Sequence, residues 1–168
     1  MPSGYASMAD LTPGRDVRRL LAAAVALMLV VFAGACRDKD VVTASYATMA
    51  EAREAGAPGR GDLPAGIPEG AHDIRIASDP DSSRRWGLFN FHPADADALR
   101  ALLQGEEASL AGVECDIPHR IEWWPILLRG SIDAEQAKAA GLQSYRSREG
   151  NLIVVVNWKQ GRAYYWRV

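Results

Sequence analysis

The chain is poor in cysteine, with two in 168 residues, Cys36 and Cys115. Two sulfurs cannot build the disulfide framework that small secreted domains use in place of a core. It also lacks an uncharged run long enough to be a secure membrane span. Leu20 to Ala35 is 16 residues, and a helix through the ~30 Å hydrocarbon layer needs about 20. A basic excess is missing too, with 19 Lys and Arg against 21 Asp and Glu. Without one, nothing pulls in a phosphate backbone, so nucleic acid is not an expected partner. Lysine is scarce, 3 against 16 arginines, a bias of genome composition rather than of chemistry. No Ser/His/Asp order, Gly-rich phosphate loop or carboxylate pair stands out, and no cofactor or catalytic residue is expected on these grounds. There is no internal repeat and no low-complexity tract.

What is present begins at the N-terminus. Arg18-Arg19 precede an apolar block, Leu20 to Phe32, and small residues Ala33-Gly34-Ala35 lead to Cys36. A basic flank, a short apolar core and small residues before a cut are the parts of a secretory signal. The small residues matter because a peptidase takes the chain as an extended strand with shallow side-chain pockets. Ala33-Gly34-Ala35-Cys36 resembles the lipobox of bacterial lipoproteins, with Ala33 where Leu is more usual. The resemblance implies a diacylglycerol thioether on the Cys36 sulfur, removal of residues 1–35, and a body facing the periplasm or exterior. Two or more acyl chains hold a protein stably, at about 0.8 kcal/mol per buried CH₂. Counted from Met8 the signal is 28 residues, nearer the usual length than the 35 from Met1. A plain signal peptide or an uncleaved anchor is the competing reading, and a Cys36–Cys115 disulfide would exclude lipidation. Arg37, where Asp would favour inner-membrane retention, points to the outer membrane in a diderm cell.

Beyond residue 35 stand 133 residues carrying 16 basic and 19 acidic side chains. That is one domain, large enough to bury about two-thirds of its unfolded surface. Residues 36–44 read as a tether and residues 45–168 as a single α+β domain. Ser45 caps a short helix, Tyr46 to Ala55, which Gly56 stops. Gly56 to Gly70 holds five glycines and three prolines. It is either a linker or an irregular segment laid against the domain by Leu63 and Ile67. Asp73–Ile76 and Arg85–Phe91 read as a strand hairpin around the turn Asp79–Ser83. Pro93 opens a helix to Leu103, with Ala96, Leu99, Leu102 and Leu103 as its apolar stripe and Gly105 as its stop. Asp133 with Gln136 resembles a capping box for a further helix, ended by Gly141. Leu152–Val156 is a β-branched run suited to a strand buried on both faces. Lys159-Gln160-Gly161 turns it into Arg162–Val168, with Tyr164 and Trp166 on one face and Tyr165 and Arg167 on the other. The fold expected is α+β: a small mixed or antiparallel sheet, two or three helices and a C-terminal β-hairpin.

Several of these residues form a pattern. Tyr46…Glu51-Ala52-Arg53…Gly56, then Gly61-Asp62-Leu63-Pro64…Ile67-Pro68, then Asp73-Ile74…Asp79-Pro80-Asp81…Trp86-Gly87-Leu88-Phe89 resemble the YbbD head domain of bacterial envelope proteins. That module shows a small helix, a Gly-aromatic-Leu-Pro step, a strand, an acidic turn and a Trp-containing strand. Here Asp62 stands in place of the aromatic. The resemblance implies a fold for about 45 residues and no activity.

Three clusters bear on function. Asp79-x-Asp81-x-Ser83 supplies the first positions of a calcium loop, but Arg84 and Asn90 stand where Gly and a bidentate Glu belong, so a solvated turn is expected. Glu114-Cys115-Asp116-Ile117-Pro118-His119 could contribute to a zinc site or a Cys/His nucleophile. A second ligand pair is missing, and Pro118 opposes the helical turn that would join the side chains, so no metal site is expected. His72 and His92 read as single and unpartnered. Trp123-Trp124-Pro125, with Trp86, Trp158 and the C-terminal aromatics, is the most unusual feature of the body. Trp86 and at least one of Trp123 and Trp124 are expected in the core. A contact surface, if built from aromatics, would use Trp124, Tyr164, Tyr165 and Trp166. The function expected is a lipid-anchored envelope module that binds or supports, meeting the membrane, another envelope protein or the cell wall. An immunity-type inhibitor, or a hydrolase using His119 and Asp116, is the alternative.

Overall fold

The computed structural model describes residues 41–103, 107–147 and 151–167. The apolar run to Ala35, Cys36 and the helix stop at Gly105 lie outside these residues.

The frame is a six-stranded antiparallel sheet, and the C-terminal hairpin lies inside it. Its strands in chain order are β1 (Val42–Thr48), β2 (His72–Ser78), β3 (Arg85–Asn90), β6 (Leu142–Arg146), β7 (Leu152–Asn157) and β8 (Arg162–Arg167). In space they run β1-β2-β3-β8-β7-β6. A second, two-stranded ladder joins β4 (Glu114–Cys115) to β5 (Gly130–Ser131). Among the described residues there are three α-helices: α1 (Met49–Glu54), α2 (Ala96–Leu103) and α3 (Ala134–Ala139). The architecture is α+β, as the sequence implies.

β7 forms where the β-branched run predicts it. Ile153, Val154, Val155 and Val156 are all buried, because both faces of the sheet are covered. The turn into β8 is fixed at both ends. The Asn157 carboxamide oxygen accepts from the Gln160 N–H at 3.1 Å, and Gly161 adopts φ +62°. A Cβ on Gly161 would lie 2.5 Å from the Phe91 carbonyl oxygen, so only glycine lets the two chains approach this closely. α3 starts at Asp133, whose carboxylate accepts from the N–H groups of Glu135 and Gln136, both at 3.0 Å. Gly141 at φ +78° ends it.

The N-terminal expectations need correction. The stretch read as tether and then helix is strand from Val42 to Thr48, paired antiparallel with β2. Helix α1 begins only after Thr48, which replaces Ser45 as the cap. Its hydroxyl accepts from the Glu51 N–H at 3.2 Å, while Glu51 reaches back to the Ala47 N–H at 2.8 Å. This resembles a capping box, with the carboxylate reaching the residue before the cap, and it fixes the start of the helix three residues later than expected. Strand β6 and the small β4–β5 ladder are further elements that the sequence reading leaves unassigned.

Two separate cores result. On one face, Trp86, Leu88, Ile153, Val155, Tyr164 and Trp166 meet the segment from Leu110 to Ala137. On the other, Ile74, Phe89, Val154, Val156 and Tyr165 meet α1, the glycine- and proline-rich segment and Leu99 of α2. That segment is therefore laid down on the sheet rather than free.

Candidate binding cleft

Cross-strand from Tyr165 stands Gly87. A Cβ at Gly87 would sit 2.2 Å from the Tyr165 hydroxyl and its ring, so the phenol lies flat over the glycine. From there its hydroxyl donates to the Asp62 carbonyl oxygen at 2.7 Å, within the buried interior. Burial, then the nearby Asp62 carboxylate, pushes the Tyr165 pKa up, so it remains a donor. Asp62 is itself buried. Its carboxylate accepts from Arg60 Nε at 2.9 Å and from Arg85 Nε at 3.2 Å. The residue that departs from the aromatic pattern thus docks the loop through charge, with two guanidinium groups meeting one carboxylate.

Between the docked loop and α2 the second core stops short of filling its space. A cleft of about 790 Å³ remains there, within the range that holds a small organic ligand. Phe89, Val154 and Leu152 form its floor. Pro64 to Ile67 make one wall and Leu99, Leu102 and Leu103 of α2 the other. Tyr145, Arg146, Ser147, Asn151 and Arg167 bring polar groups to it. Arg167 differs from the other arginines nearby. Arg85 Nη1 donates to the carbonyls of Asp79, Ser82 and Arg84 as well as pairing with Asp62. Arg167 Nε is buried without a hydrogen-bond partner among the described residues.

The aromatic contact surface expected from sequence is not a surface. Trp124, Tyr164, Tyr165 and Trp166 are all buried, at 8% exposure or less. Trp124 packs edge-on against Tyr164 and Trp166 at 5.8 and 6.0 Å between centroids, and its Nε1–H donates to the Leu128 carbonyl at 2.8 Å. Tyr165 faces the opposite core. The physical reason is that both faces of the hairpin are covered, so alternation along β8 leaves neither set outside. Trp86 is core, and Trp123 is partly buried beside Trp124. In this run the exposed residues are Ile126, at 85%, and Leu127, on a 3₁₀ turn between Trp124 and Leu128.

The other clusters separate. Asp79 is buried, and its carboxylate accepts from the Asp81 N–H and the Ser82 hydroxyl at 2.9 and 2.8 Å, as an Asx turn does. Cys115 is buried, and burial, then the neighbouring Asp116, pushes its thiol up to about 12. It is a weak nucleophile at neutral pH. Asp116 points outward to Arg84 at 2.7 Å, and His119 is exposed. His72 and His92 are not single. Their rings stack at 4.6 Å, with His72 Nδ1 3.1 Å from the Gly70 carbonyl oxygen. Among the described residues, no group of three His, Cys, Asp or Glu could hold a metal ion, and no helix is long and apolar enough to cross a membrane.

Residues 40–90 match the family model of the YbbD head domain. The match covers β1, α1, the docked loop, β2 and β3. It therefore includes the loop wall of the cleft and Phe89 of its floor, while α2, β6, β7 and Arg167 come from the rest of the chain. Neither a curated protein nor a solved structure matches the chain.

Proposed function

We propose that this is a bacterial lipoprotein, held on the outer face of a membrane through Cys36, whose body is a non-catalytic binding module. The lipobox-like run ending at Cys36 supports the anchor, and the same reading makes residues 1–35 a removed signal. The observation that carries the binding role is the cleft between α2 and the docked loop, open beside Arg167, whose Nε is buried without a partner among the described residues. Binding thereby moves from the aromatic patch to the opposite face of the sheet. Mass spectrometry of the mature N-terminus tests the anchor: the chain should begin at a lipidated Cys36, and C36S should abolish lipid labelling. An N-terminus upstream of residue 36, or label retained by C36S, overturns it.

A second reading is an inhibitor that protects the envelope through a complementary surface. The outward Ile126 and Leu127 favour it, since large apolar side chains this exposed are a feature of docking sites. Co-expression with a toxin encoded beside it, with and without I126D, tests that role.

A further inference from the structure

We infer that the cleft seats an organic anion with an apolar body, its acidic group resting on Arg167; this rests on the binding reading above. Placing a guanidinium partly out of water without a counter-charge is unfavourable, and natural structures pair such groups. The near carboxylate, Asp62, is already shared by Arg60 and Arg85. Among the described residues no carboxylate pairs with Arg167, and its Nε has no acceptor. Gly61 stands beside the same group, 3.7 Å from Nη1 to the position of an added Cβ, so no side chain from that position covers it. The charged groups among the described lining residues, Arg146 and Arg167, are both positive.

The rest of the cleft sets the ligand's other end. Leu152 lies directly opposite Arg167 in the β7–β8 ladder. Beyond it, Phe89, Val154, Leu99 and Leu103 supply an apolar bed. A planar fork at one end and an aliphatic-aromatic floor at the other suit a carboxylate or similar monoanion carrying a hydrocarbon or aromatic group. A cation would meet the like charge of Arg167, and a neutral apolar molecule would leave the guanidinium unmatched.

The test titrates the full chain, in nonionic detergent, with 4-phenylbutyrate and in parallel with its neutral counterpart 4-phenylbutan-1-ol. Binding is followed by the backbone amide shifts of Leu103, Leu152 and Arg167. The acid should saturate these shifts at concentrations at least about tenfold lower than the alcohol. The gap should close in R167Q and narrow as salt rises. L102W, at the exposed mouth and away from the guanidinium, should weaken both ligands. Equal binding of acid and alcohol by the wild type, or an acid affinity indifferent to salt, overturns the anion assignment and leaves a binding cleft standing. Failure of both ligands to move the three amides overturns the cleft itself. Should R167Q not fold, the salt dependence of the wild type decides.

Discussion

The two faces of the sheet are built by opposite strategies. One is closed by a long segment, Leu110 to Ala137, that carries little regular structure and many large apolar side chains. Trp124 interlocks there with Tyr164 and Trp166, and Trp86 and Cys115 lie in the same core. The other face is closed by a loop held through polar contacts, Tyr165 to the Asp62 carbonyl and Asp62 to two arginines, with a short helix beside it. Shape-filling aromatics leave no room around Trp124. Polar docking at one end and a helix at the other leave a cleft between them. The lesson is that aromatic content marks where this protein is solid, and the place to bind lies where its covering is thinner.

That contrast can be broken in graded ways. The largest effect belongs to the solid face: W124A should cost about 4 kcal/mol in urea melts, since it removes a buried indole with three aromatic neighbours. Next is G87A, which forces a Cβ into the Tyr165 ring. A loss of about 3 kcal/mol is expected, with the Tyr165–Asp62 bond broken along with the packing. Y165F, which keeps the ring and deletes only that bond, should cost about 1–2 kcal/mol. If G87A and Y165F cost the same, the glycine matters only for the hydrogen bond.

A further effect is graded by pH and small at neutrality. The Cys115 thiol, raised from 9.0 to about 12 in the fold, keeps its proton where the unfolded chain loses it. The native state then binds more protons, so stability falls as pH rises from about 9 towards 12, by at most ~1.4 kcal/mol per unit. Denaturant melts of wild type and C115A over that range should diverge, with the wild type losing more. Least of all, L102A on the cleft side should change stability by under about 0.5 kcal/mol, because that leucine is 37% exposed. A large loss there would mean the cleft is closed in solution.

How far these features could be read from sequence depends on how local they are. The β2–β3 hairpin, the Asp133 cap and the β7–β8 hairpin each rest on neighbours in the chain, and each is present. Strand β1 is hidden because Val42 to Thr48 is an edge strand with mostly exposed side chains, so it carries no buried alternation. The Thr48–Glu51 capping pair was legible there, and it would have set the helix start correctly. The cleft was not legible. Its described lining comes from the loop at 64–67, Phe89, the leucines of α2, residues 145–147, Asn151, Leu152, Val154 and Arg167, which only the sheet order brings together. The aromatic surface was misread for the same reason: no local signal announces that Leu110 to Ala137 will fold back over β8.

The most direct measurement is a crystal structure of the mature protein grown with 4-phenylbutyrate. The account predicts one molecule between α2 and Leu152, its carboxylate on the Arg167 guanidinium, with no ligand on the Trp124 face. A cleft filled by the chain's own side chains, with one of its own carboxylates on Arg167, would contradict it.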